Sequence, residues 1–180
     1  MAKNRHAQKL AYALLEEHGV DQPPVDLIEL AEAEGIDVVF KEFPDDVSGM
    51  LVRSEKGTVI GVNSRHHENR QRFTLAHEIA HHQLHAHHPT VYVDGMMVHY
   101  RVEEQRGPES IEVEANAFAA ALLMPEDYLR NDLRDKRFDM YDETAVRRLA
   151  QRYQVSVQAL TIRLMELGLL HGLAPQVAQK

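Results

Sequence analysis

With 180 residues, 44% of them hydrophobic and 27% charged, the chain has ordinary globular composition and can bury a core as one domain or one domain with an appendage. It has no cysteine, which excludes a disulfide framework and a thiolate metal site. It shows neither a signal-peptide pattern nor an 18-residue apolar run, so a cytoplasmic chain with no membrane partner is expected, and its net charge of −8 argues against generic nucleic-acid binding.

Periodicity predicts a short helix over residues 3–18, with Leu10, Tyr12 and Leu14 as a partial apolar face. Pro23-Pro24 ends a loop. Asp26 to Glu34 reads as a second amphipathic helix stopped by Gly35, and Ile36 to Phe40 as a strand. Met50 to Arg53 and Thr58 to Val62 flank Glu55-Lys56-Gly57, which signals a hairpin.

The next segment carries His77-Glu78-Ile79-Ala80-His81, an HExxH pentapeptide. Twelve histidines in 180 residues make roughly 0.07 chance occurrences of the motif, so it carries weight. Residues four apart share a helix face, so both imidazoles can reach one zinc ion while Glu78 handles a proton beside them. Phe73, Ala76, Ala80 and Leu84 recur at helical spacing, Leu75 and Ile79 add a second apolar line, and no Gly or Pro interrupts residues 65–88.

A catalytic zinc site needs a third protein ligand. His87 stands six residues after His81, as in an HExxHxxGxxH site, but the sharp turn there needs Gly and this chain has Leu84. Val91 to Tyr100 looks like a hairpin with Asp94-Gly95 at its tip, and residues 101–110, with Gly107-Pro108, like a loop that could cover a cleft. Glu112 to Pro125 then reads as a helix whose Ala115, Ala119 and Ala120 permit close approach to the first. Its first turn offers Glu112 and Glu114. Asn116 lies four residues after Glu112, on the same face, and can hold a ligand histidine; this favours Glu112 over Glu114.

Residues 143–167 read as two helices around Gln154-Val155-Ser156, like a helix-turn-helix with Ala150 at the small packing position and Gln154 where Gly is usual. Its second helix offers Gln158, Thr161 and Arg163 to DNA. From residue 126 onward 9 Lys or Arg face 8 Asp or Glu, so no basic footprint is visible. A helical subdomain packed on the core is therefore expected, and direct nucleic-acid binding is not.

Three blocks resemble the ImmA/IrrE family of zinc metalloproteases: Arg72 to His81 followed by His85; Glu112 to Pro125; and, less specifically, Val25 to Ile36 with Ser48-Gly49 and Val59 to Asn63. The resemblance implies an α+β fold: a gluzincin-like metalloprotease core over residues 1–125, with a small mixed sheet packed on the HExxH helix, and a C-terminal helical subdomain over 126–180. It implies Zn2+ on His77, His81 and Glu112, with Glu78 as general base. It further implies an intracellular endopeptidase whose protein substrate is a partner such as a helix-turn-helix repressor. By analogy with zinc proteases, residues 58–63 would hold substrate by added strand pairing. His99, Tyr100 and Tyr128 are candidate oxyanion donors. The chain departs from the family in its cluster of His82, His85, His87 and His88. Two other readings remain open: a zinc-binding sensor without efficient cleavage, and a DNA-binding regulator acting through residues 143–167.

Overall fold

The structure is a computed structural model that describes residues 2–85, 92–93, 108–134 and 142–169. Among these, helix α1 (Ala2–Glu17) opens the chain and α2 (Leu27–Ala33) follows. The apolar line of α1 is Ala7, Ala11, Leu14 and Leu15, all buried; the predicted Leu10 and Tyr12 flank it, half-buried. Asp26 caps α2 by accepting from the amides of Ile28 and Glu29 at 3.0 and 3.1 Å, and Gly35 ends it at φ +71°.

Strands β1 (Ile36–Lys41), β2 (Gly49–Ser54), β3 (Gly57–Asn63) and β4 (Tyr92–Val93) form one mixed sheet in the order β1-β3-β2-β4. β1 runs parallel to β3, while β2 is antiparallel to both β3 and β4. The predicted β2–β3 hairpin is present, with Ser54 opposite Gly57. The strand role expected for residues 58–63 is overturned: β3 is paired on both sides, so its backbone groups are already used and no substrate strand can add to it. Of the hairpin read over residues 91–100, only 92–93 fall within the described residues.

Asn63, fully buried at the end of β3, organises the connection between β1 and β2. Its side-chain amide donates to the carbonyls of Phe43, Pro44 and Val47 at 3.2, 3.2 and 2.8 Å, and its oxygen accepts from the amides of Phe43 and Arg65. Such a hub replaces the backbone ladder where the chain leaves the sheet.

α3 (Glu68–Leu84) lies across β2 and β3, with α4 (Pro108–Leu123) against it and α1 against α4. α4 begins at Pro108, so residues 108–110 are helical rather than loop, and Glu112 sits beyond the first turn. Proline suits a first helical position because the missing N–H would have no partner there. Residues 101–107 lie outside the described residues.

α5 (Glu126–Arg134), α6 (Glu143–Tyr153) and α7 (Val157–Glu166) complete the fold. Gln154 ends α6 in the left-handed region at φ 52°, and Ser156 caps α7. Buried Arg163 fastens α7 to the rest: it donates to the carbonyl of Met124 at 3.2 Å and to the Tyr12 hydroxyl at 2.9 Å. Arg163 therefore faces inward and is not among the side chains α7 can offer to DNA. One cluster of buried residues runs from Ala7 to Leu164. No helix among the described residues is long and apolar enough to cross a membrane.

Candidate metal centre

The middle of α3 is buried on all sides, from Thr74 through His81. An imidazole or carboxylate in such a setting needs a partner, because burying a polar group without one is costly. α4 supplies partners. Ala115 and Ala119 are fully buried, while Ala120 is half-buried, and the small side chains bring the two helix axes together. This proximity places Glu112 over the histidine pair.

His77 Nε2 and His81 Nε2 are 3.0 Å apart. Glu112 Oε2 is 3.1 Å from His77 Nε2, and its Oε1 is 3.4 Å from His81 Nε2. A tetrahedral zinc ion with bonds of about 2.0–2.1 Å sets its ligand atoms about 3.3 Å apart. The two imidazole nitrogens stand near that spacing and each has one oxygen of the same carboxylate near it at a similar distance, so the residues fit such an ion. Two nitrogens and one oxygen are also a donor set that suits zinc. Among the described residues, His77, His81 and Glu112 are the group able to hold a metal. The histidines are buried, whereas the Glu112 side chain is 45% exposed, so the site opens to solvent on the α4 side.

His77 Nδ1 donates to Asn116 Oδ1 at 3.0 Å. That bond keeps the proton on Nδ1 and leaves the Nε2 lone pair directed at the site. Burial alone would push the Glu112 carboxyl pKa up, but hydrogen bonds and charge from His77 and His81 outweigh it and hold the carboxyl well below the usual carboxylate range. Glu78 is 1% exposed and packs beside β2: a Cβ built on Gly49 would stand 3.6 Å from Glu78 Oε1 and only 2.4 Å from the Thr74 methyl. Gly49 thus lets the strand come this close to the helix.

Glu114 is buried on α4 but lies outside the donor group. His87 and His88 fall outside the described residues, as do His99 and Tyr100. The Tyr128 hydroxyl is committed to the carbonyl of Val20, which removes it as an oxyanion donor. His85 caps the C-terminus of α3, its amide bonded to the carbonyl of His81 at 3.2 Å. His82 is half-buried; desolvation and the charge of Arg53 lower its pKa against the opposing pull of Glu34.

The sequence reading missed two side chains around the site. Arg53 donates to carbonyls of the last turn of α3, and Asn63 fixes the loop that leads into Gly49. Both act across long stretches of chain, where local pattern carries no signal.

An HExxH helix thus packs on a small mixed sheet, and a second helix packed against it brings a carboxylate to its histidines. The sequence model of peptidase M78, described as the IrrE N-terminal-like domain, matches residues 31–165. The radiation response metalloprotease IrrE of Deinococcus radiodurans is 37% identical over 110 residues, covering 60% of this chain and 31% of that protein. A solved structure titled Mycobacterium tuberculosis transcriptional regulator shares the fold with a TM-score of 0.59 at 20% identity, over 89% of this chain and 46% of its own. The chain spans less than half the length of either. It belongs to the ImmA/IrrE family of the peptidase M78 group.

Proposed function

We propose that this chain is a zinc-dependent endopeptidase in which His77, His81 and Glu112 hold the metal and Glu78 is the general base. The observation that carries this reading is the convergence of donors: His77 Nε2 and His81 Nε2 lie 3.0 Å apart, one Glu112 oxygen lies 3.1 Å from the first and the other 3.4 Å from the second, and one side faces solvent. A third donor from a separate helix favours a gluzincin-like core. The bound ion supplies Lewis acidity toward a water molecule and the scissile carbonyl. Asn116 orients His77, and Glu112 adds negative charge beside the imidazoles. Glu78 takes a proton from the attacking water and returns it to the leaving amine.

In this reading residues 1–125 hold the catalytic groups, and residues 126–180 form a helical subdomain behind them. The helix, three-residue turn and helix of α6 and α7 support a helix-turn-helix-like pair. The substrate is an intracellular protein, such as a helix-turn-helix repressor, and the chain works in the cytoplasm. Support for these finer points is the family resemblance, together with one relative described as a radiation response metalloprotease.

Metal analysis of wild type beside His81→Ala, Glu112→Ala and Glu114→Ala tests the ligand set. Zinc should be lost in the first two and kept in the third. Glu78→Gln should keep its zinc while cleavage of a proteome-derived peptide library, read by mass spectrometry, falls by about 10²–10⁴-fold. Turnover by Glu78→Gln at the wild-type rate would remove Glu78 from the mechanism. Zinc binding by wild type without cleavage would select a sensor instead.

A further inference from the structure

Arg53 lies on β2, far from the HExxH motif in sequence, yet its guanidinium reaches three carbonyls at the end of α3. Nη2 donates to His81 at 2.9 Å and to His82 at 3.0 Å, and Nη1 donates to His85 at 3.0 Å. The last four carbonyls of a helix lack partners within it, and that end carries partial negative charge; His82 and His85 are of this set, while the His81 carbonyl also accepts from the His85 amide. An arginine placed there answers both needs.

The position matters because α3 stops at Leu84, three residues after His81. Helix ends fray, and fraying of this last turn would carry the second imidazole away from the first. Four positions before Arg53 on the same strand, Gly49 sits against Thr74 and Glu78. β2 therefore lies along α3 like a splint, with close packing at one end and a three-carbonyl clamp at the other.

We propose that Arg53 is a positioning residue for His81, holding the last turn of α3 so that both imidazoles are in place before zinc arrives. This rests on the zinc reading given above. Groups that hold metal ligands from behind typically change metal affinity by about 10–100-fold when removed.

The test measures zinc affinity by competition with a chromophoric chelator for wild type, Arg53→Gln and Arg53→Lys. Amide hydrogen exchange of the metal-free proteins is measured alongside, at a temperature where circular dichroism shows all three folded. Arg53→Gln should bind zinc about 10–100-fold more weakly, with faster exchange confined to the last turn of α3, including the His85 amide. Arg53→Lys should recover only part of the affinity, because one ammonium cannot serve all three carbonyls. If Arg53→Gln fails to fold, the lysine variant carries the comparison: weaker zinc binding with local loosening supports the clamp, and wild-type behaviour overturns it. Unchanged affinity or unchanged exchange in Arg53→Gln overturns it, as does full recovery by lysine, which would assign the effect to charge alone. If wild type itself binds no zinc, the zinc reading falls, and this role for Arg53 falls with it.

Discussion

Asn116 and Gly49 show how single residues set the geometry of the centre. Asn116 fixes the proton of His77 on the nitrogen that faces away from the donor group. Asn116→Ala should keep the fold and weaken zinc binding by about 10–100-fold in a chelator competition, since the imidazole can then rotate and change tautomer. Gly49→Ala should act through packing. Its methyl would meet the Thr74 side chain at 2.4 Å and the Gly61 carbonyl at 2.9 Å, and one of those contacts is backbone. Overpacking of this kind costs about 1–3 kcal/mol. A lowered urea midpoint together with loss of peptide cleavage would match, and an unchanged midpoint would contradict it. At this scale the pairing of His77 with His81 was legible because helical spacing is a local rule, and the approach of Glu112 because Asn116 stands one turn beyond it. Arg53 and Asn63 were not, because each acts on backbone groups many residues away.

Periodicity, capping residues and glycines gave the identity of most helices and strands, α5 excepted; of the strand pairings they gave only the β2–β3 hairpin. Nothing in residues 58–63 distinguishes an interior strand from an edge one, so only the sheet order showed β3 enclosed by β1 and β2. The start of α4 was hidden for a different reason. Gly107-Pro108 carries the signature of a loop, yet a proline at a first helical position has the same local sequence. Between elements, the Tyr153 hydroxyl at the end of α6 donates to Asp132 of α5 at 2.9 Å. Burial pushes the Tyr153 pKa far up, and the hydrogen bond and charge of Asp132 push it further. A raised folded value means that this contribution is complete below the ordinary tyrosine value of about 10 and is lost as pH climbs above it. Tyr153→Phe should therefore lower stability at pH 7 by roughly 1 kcal/mol and flatten the loss of stability above pH ~10, measured by urea denaturation across that range.

In the whole molecule, one core runs from α1 to α7, with Arg163 joining the last helix to Tyr12 of the first and to the end of α4. Length, composition and the family motifs made the α+β character visible, but the docking of α7 was not, because a buried arginine reads in sequence as a surface one. The donor group joins α3 to α4, segments brought together only in the folded chain. An ion that binds there and not in the unfolded chain raises stability by mass action, about 2.7 kcal/mol at a hundredfold excess over its dissociation constant. A thermal melt with added zinc should lie several degrees above one with a strong chelator, and coincident melts would show that the ion does not bridge the two helices. The carboxylate of α4 that answers the paired imidazoles of α3 would thereby turn a bound ion into a rivet. Deprived of such an ion, the chain would loosen where those helices meet and become easier prey for housekeeping proteases, so its abundance would follow the metal supply.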